Sequence, residues 1–214
     1  MSPFAATDFH PGAVAYSADG VHVGTLHRVI VDRESWDLQH IVVQETRRFS
    51  GHLFAPGTAL ITDDVVIPLD AVAGVTHDRV ELTMTAAAIR SLPPYLSYHI
   101  APWTGRDSTM HALSILSGAP FVRPLVETAD KTEEELEIRA GEKIMLGRTG
   151  HRLGRVRDVL FDGRELVGVV MHPDGFFTED VILQVRFLDR SDDLVLFAHL
   201  TEADLEFLSP FHPA

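Results

Sequence analysis

Twelve histidines are spread over the 214 residues, and they are the first place to look for chemistry. A metal ion needs imidazoles that converge, for example at i and i+4 on a helix or i and i+2 on a strand. His22 and His27 are five apart, which suits neither. His10, His40, His52, His77, His99, His111, His151, His172, His199 and His212 are scattered, and no His-x-Glu-x-x-His pattern occurs. They read as surface or strand histidines, able to lend pH sensitivity between pH 5 and 8. No metal is assigned. Cysteine is absent, which removes disulfides, thiolate catalysis and Cys-ligated zinc. There is no Gly-x-Ser-x-Gly elbow and no phosphate-cradling Walker loop. The serines between Ser114 and Gly118 lack a strand-to-helix turn to present them, and Gly141, Gly147, Gly150 and Gly154 are spaced for β-bends. Asp189, Asp192 and Asp193, and the acids from Glu133 to Glu137, lack the alternating ligands and glycine of an EF-hand loop, so they read as solvated faces. The expectation is a protein that is not an enzyme, with no catalytic residue and no cofactor.

Charge narrows the partners. Thirty-one acidic against 18 basic residues give a formal net charge of -13, which repels nucleic acid and anionic membranes. A basic protein would be complementary. The segment from Met1 to Asp8 has neither a basic region nor an apolar one, so no signal peptide is expected. The apolar stretch from Val65 to Val75 is broken by Asp70 and falls short of the ~20 residues a membrane helix needs. A cytoplasmic protein without a membrane span is expected.

The elements that must position any site come in two copies. Residues 14–95 carry Val14 to Gly24, then Val29-Ile30-Val31-Asp32, Ile41-Val42-Val43, Asp64-Val65-Val66-Ile67 and Leu92-Pro-Pro-Tyr95. Residues 144–211 carry Ile144 to Gly154, then Val159-Leu160-Phe161-Asp162, Val169-Val170-Met171, Asp180-Val181-Ile182-Leu183 and Leu208-Ser-Pro-Phe211. The same order of glycines, apolar runs and a terminal Pro-aromatic pair marks one small β-domain repeated. Asp19-Gly20 is a hairpin turn, and Gly24, inside a β-rich run from Val21 to Val31, marks a bulge or bend. Trp36 to Gln44, Val65 to Leu69 and Arg79 to Thr83 read as further strands. Thr85 caps a short helix that Pro93-Pro94 ends, and Thr201 with Asp204 does the same in the second copy. Between the copies, Asp107-Ser108 could cap a helix ending at Gly118, and Asp130 to Glu135 reads as a solvated hinge. Trp103, Met110, Leu113 and Leu116 in that connector read as packing residues.

The residues Gly12-x-Val14-x-x-x-x-Asp19-Gly20-x-x-Val23-Gly24, the strand Ile41 to Val43, the run Val66-Ile-Pro-Leu-Asp-Ala-Val72 and Leu92-Pro-Pro-Tyr95 resemble the PRC-barrel domain family. The second copy is similar through Gly150, Gly154, Asp162, Val169-Val170 and Leu208 to Phe211, and departs from it at Thr149, Gln184 and Arg186. The resemblance implies an all-β chain of two tandem small PRC-like β-barrels, each closed by a short C-terminal helix, with a partly helical connector. The corresponding domains are 1–95, 96–135 for the connector, and 136–214. It also implies a docking role, since such barrels serve as one in the cytoplasmic domain of the reaction-centre H subunit and in the C-terminal domain of a ribosome maturation factor. The family carries no catalytic residue set.

The two copies differ most after their third run. From Val43 the first takes about twenty residues to reach Asp64, whereas from Met171 the second takes about eight to reach Asp180. The extra loop carries Arg47, Arg48, Phe49, His52 and Phe54, cations beside aromatics in an acidic chain. Such residues make good docking anchors, and long excursions from rigid scaffolds are where binding is placed. Two readings stand: a partner-docking hairpin, or a hairpin that tucks Phe49 and Phe54 onto its own barrel or the connector. The leading expectation is a non-catalytic adaptor that binds a protein partner, with the loop as its contact. The alternatives are an accessory subunit held peripherally on the cytoplasmic face of a membrane electron-transfer complex, a ribosome or RNA-processing assembly factor acting through a basic protein, and a homo-oligomer.

Overall fold

Two long strands organise the molecule, β3 (His22–Asp32) in the first copy and β12 (Arg152–Asp162) in the second. Both are rich in Val, Ile, Leu and Phe toward their C-terminal ends, where each has four consecutive buried residues. The computed structural model describes residues 7–46, 64–100, 125–129, 131–147, 150–174, 179–189, 195–200, 204 and 208–212. The remaining strands are β1 (Thr7–Phe9), β2 (Val14–Tyr16), β4 (Leu38–Glu45), β5 (Asp64–Pro68), β6 (Val72–Thr76), β7 (Arg79–Leu82), β8 (Leu96–Ile100) and β9 (Leu125–Ala129). The second part of the chain adds β10 (Glu135–Arg139), β11 (Lys143–Leu146), β13 (Glu165–Pro173), β14 (Val181–Gln184), β15 (Val195–Ala198) and β16 (Ser209–Pro210).

The repeat is real at the level of topology. In the first copy the order runs β5-β4-β3-β2-β7-β6, and in the second β14-β13-β12-β11-β15, with β16 on the far side of β14. In both, the short strand before the glycine pairs parallel with a strand from the end of the copy, β2 with β7 and β11 with β15. The described residues are mostly β-strand, as expected, and include a short helix at Ala86–Ile89. Thr85 caps that helix by accepting from the Ala88 N–H, and Ala86 and Ile89 are buried in the core. The second expected helix falls mostly outside the described residues, as does the connector helix expected at residues 107–118.

Closed tandem barrels are not what the ladders of the described residues form. Each seven-stranded sheet is an open, branched path. The branch has a physical cause. β2 covers only the first part of one edge of β3, pairing Val14 with Thr25. The free remainder of that edge is taken by β10, which lies ahead of the second copy: Glu135 pairs with Asp32, Ile138 with Val29 and Arg139 with Arg28. Reciprocally, β1, ahead of the first copy, pairs with β12 of the second, Thr7 with Phe161 and Phe9 with Val159. The leading strand of each copy is thus exchanged onto the other. Backbone groups that would be exposed at a sheet edge are satisfied across the seam.

The hairpin tips complete the exchange. Leu38 N–H donates to Arg164 O at 2.7 Å, Leu166 N–H donates to Trp36 O, and Asp37 bridges Glu165. Val29, Val31, Leu38 and Ile41 share one apolar core with Phe9, Leu136, Ile138, Val159, Phe161 and Leu166. Phe9 meets Phe161 edge-to-face at 5.3 Å between ring centres, a pair worth roughly 0.5–1.5 kcal/mol beyond the area it buries.

Gly24 and Gly154 sit where a sheet partner crowds the backbone. A Cβ on Gly24 would lie 2.0 Å from Gln44 O, and one on Gly154 2.3 Å from His172 O. The bend read from Gly24 is present, because the register against β2 shifts beside it. A second bulge lies at His27, between Leu26 and Arg28, and its counterpart lies at Arg157. The ends of the connector, which the sequence reads only as partly helical, pair as β8 with β9, Leu96 opposite Ala129 and Ile100 opposite Leu125. Glu135, placed in the hinge by the sequence, starts β10.

Candidate functional site

The bulges at His27 and Arg157 change which side chains face outward. Beyond the first, Val29 and Val31 enter the shared core while Arg28 and Ile30 occupy the opposite face of the sheet. That face is covered by Tyr95, fully buried against Ile30 and Val42. The Leu92-Pro-Pro-Tyr95 segment is held there because Tyr95 N–H donates to Asp64 O at 2.6 Å. Phe211 makes the same bond to Asp180 O in the second copy.

Beneath Tyr95 lies a buried ionic network. Arg28 donates from Nη1 to Glu137 Oε2 at 2.8 Å and from Nη2 to Asp64 Oδ2 at 3.2 Å. Tyr95 donates its hydroxyl to the same Glu137 oxygen at 2.6 Å, and its ring centre lies 5.1 Å from the guanidinium carbon. His27 Nδ1 is 3.0 Å from Asp64 Oδ2. Burial alone would lower the Arg28 pKa, but the Glu137 hydrogen bond and the Glu137 and Asp64 charges raise it above its ordinary value. Glu137 comes from the exchanged strand β10, so the network ties that strand to the first copy. Arg28 Nε and Asp64 Oδ1 make no hydrogen bond among the described residues; the network's other bonds run between its own members, and it reads as structural.

An open site lies at the seam. Arg33, Glu34 and Trp36 of the β3–β4 turn, Glu133 and Glu134 before β10, and Leu188 and Asp189 of the second copy line a cleft of about 540 Å³. Four acidic residues and one arginine are among the lining residues. Trp36 has φ of 64° and is the one non-glycine residue with positive φ among the described residues. A left-handed backbone at such a residue costs roughly 1–2 kcal/mol. It is held by Trp36 N–H donating to Asp32 O at 2.9 Å and by Leu166 donating to Trp36 O. Asp32 shapes the same turn, accepting from the Glu34 and Ser35 N–H groups at 2.9 and 2.7 Å. Those bonds hold its carboxyl below the usual range. On the far wall, His199 Nε2 lies 2.9 Å from Asp189 Oδ2. Arg33 Nε is buried with no hydrogen-bond partner among the described residues. The cleft can accept a cationic group against the indole face, with carboxylates to pair it.

The loop residues Arg47, Arg48, Phe49, His52 and Phe54 lie outside the described residues, as do Trp103, Met110, Leu113 and Leu116 of the connector. The sequence did not single out the cleft as a site. Glu133 to Glu137 and Asp189 were read as solvated faces, and Trp36 as the first residue of a strand. They are more than 150 residues apart at the extremes, and no spacing rule connects them. The histidines are more engaged than the sequence implied. His27 and His172 face Asp64 and Asp180, equivalent aspartates at the starts of β5 and β14. His10 and His77 stack on each other.

No protein-family model matches the chain, and no curated protein matches it. No helix of the described residues is long and apolar enough to cross a membrane.

Proposed function

We propose that this protein is a non-catalytic adaptor of the PRC-barrel type, and that its seam cleft receives a basic segment of a protein partner. The observation that carries the reading is the cleft itself: four carboxylates and one arginine around Trp36, in a chain of net charge -13. A lysine- or arginine-rich strand or loop is complementary to it in charge, and the indole offers a face for a cation. Strand exchange supports the adaptor role, because a shared core holds the cleft walls, which come from both copies, in fixed geometry.

The loop carrying Arg47, Arg48, Phe49, His52 and Phe54 remains a second contact of opposite charge in this proposal. The acidic cleft favours a basic protein, such as a ribosomal one, over a membrane complex. The test is titration of the full chain with a Lys/Arg-rich peptide, followed by calorimetry at low and moderate salt. Binding should weaken as salt rises and be lost in the double variant E133K/E134K, whose substitutions lie at exposed turn positions. A peptide bound equally well by the charge-reversed variant would refute the cleft as the docking site. Affinity purification from soluble and membrane fractions would then separate ribosomal from membrane-complex partners.

A further inference from the structure

The fold brings together three side chains that neither the ionic network nor the cleft uses. His10 follows β1, His77 lies in the turn between β6 and β7, and Asp158 stands on β12. β1 lies against β6, which is how the two histidines meet. One potential ligand atom from each of the three residues lies within 4.8 Å of the other two. The imidazole rings are stacked, 4.3 Å apart at their centres and 28° from parallel. His10 Nδ1 contacts Asp158 Oδ1 directly.

We propose that His10, His77 and Asp158 bind a divalent first-row transition ion, Zn²⁺ being the species of choice. The ligand chemistry supports it. Two imidazoles and a carboxylate form a borderline donor set typical of zinc, and the chain has no thiolate to favour softer ions. Asp158 supplies an independent observation. Its side chain is fully buried, and its Oδ2 makes no hydrogen bond among the described residues. The nearest cation, Arg157, places Nε 3.6 Å from that oxygen, beyond hydrogen-bond reach, while its Nη1 is engaged with Asp180. A buried carboxylate with an unsatisfied oxygen is costly, and an ion would satisfy it.

The position gives the ion a consequence. The corresponding place in the first copy is Arg28, opposite Arg139 as Asp158 stands beside the exchanged segment carrying His10. There the buried charge is a cation met by the carboxylates of Glu137 and Asp64. In the second copy it is an anion with two imidazoles before it. Each exchanged strand is pinned by a buried charge, and an ion at His10 would pin β1 as Glu137 pins β10. Three protein ligands also leave a fourth position open to water or to a partner's side chain.

The experiment is titration of the untagged, chelator-stripped full chain with Zn²⁺ by calorimetry, with Co²⁺ absorption as a report on coordination. One saturable equivalent that raises the melting temperature is expected. Loss of outer-sphere contacts alone costs roughly 10–100-fold in affinity, so H77A and H10A should each weaken binding by about 100-fold or more. D158N, which keeps the shape, should do the same. H151A, at an exposed site elsewhere, should bind as the native chain does. No saturable binding, or binding equally tight in H77A, would overturn the assignment. H77A alters a turn residue and is expected to fold, so its result decides even if D158N does not.

Discussion

Replacing Arg28 by methionine isolates the buried ionic network. The Arg28 side chain is 6% exposed, and it is the cation that answers both Asp64, fully buried, and Glu137, 9% exposed. Methionine keeps much of the volume but strands both carboxylates. Removing one partner of a buried ion pair costs about 3–5 kcal/mol, because an uncompensated charge remains in a low-dielectric site. In a chain of this size 1 kcal/mol moves the melting temperature by roughly 2–4 °C, so a fall of about 6–20 °C is expected. The assay is thermal and urea unfolding followed by circular dichroism. The double variant R28M/E137Q should recover part of the loss, since glutamine still accepts from Tyr95. A loss under about 1 kcal/mol would refute the claim that the network is a desolvated charge cluster.

Further outcomes are expected from single changes. Tyr95→Phe keeps the ring that covers Ile30 and Val42 but deletes the bond to Glu137, and should cost about 1.5–3 kcal/mol in urea unfolding, the range for a bond to a charged group. Gly24→Ala drives a methyl toward Gln44 O and should destabilise by about 1–3 kcal/mol. Gly20→Ala meets open space but a φ of 74°, and should cost about 1 kcal/mol through the dihedral alone, which unfolding midpoints will distinguish. Asp19 accepts from the Ala86 N–H at the start of the short helix. The Ser17 hydrogen bond and then that one hold its carboxyl below the ordinary value. Its contribution is therefore present above the usual carboxylate range and lost as pH falls through the lowered pKa, and Asp19→Ala should flatten the acid limb of stability against pH.

What the sequence determined by itself was local. The Asp19-Gly20 turn, the strands flanking it, the Thr85 cap and the doubling of the whole pattern all depend on residues close in the chain. Gly24 and Gly154 were legible as special positions because a missing side chain in a strand signals crowding. The strand content of 96–100 and 125–129 was not, since Leu96–Ile100 finds its partner only across more than twenty intervening residues. Tertiary structure alone decided the exchange of β1 and β10. Nothing within Thr7–Phe9 or Glu135–Arg139 distinguishes pairing with their own copy from pairing with the other. The choice rests on the free edge that short β2 and β11 leave on long β3 and β12, and on a core the two copies share. The same exchange placed Glu137 beside Arg28, His10 beside Asp158, and Glu133 and Glu134 across from Asp189. Charges that looked like solvated faces in the sequence became a buried network and a cleft because pairing energy is collective over a ladder, whereas sequence spacing reports one strand at a time.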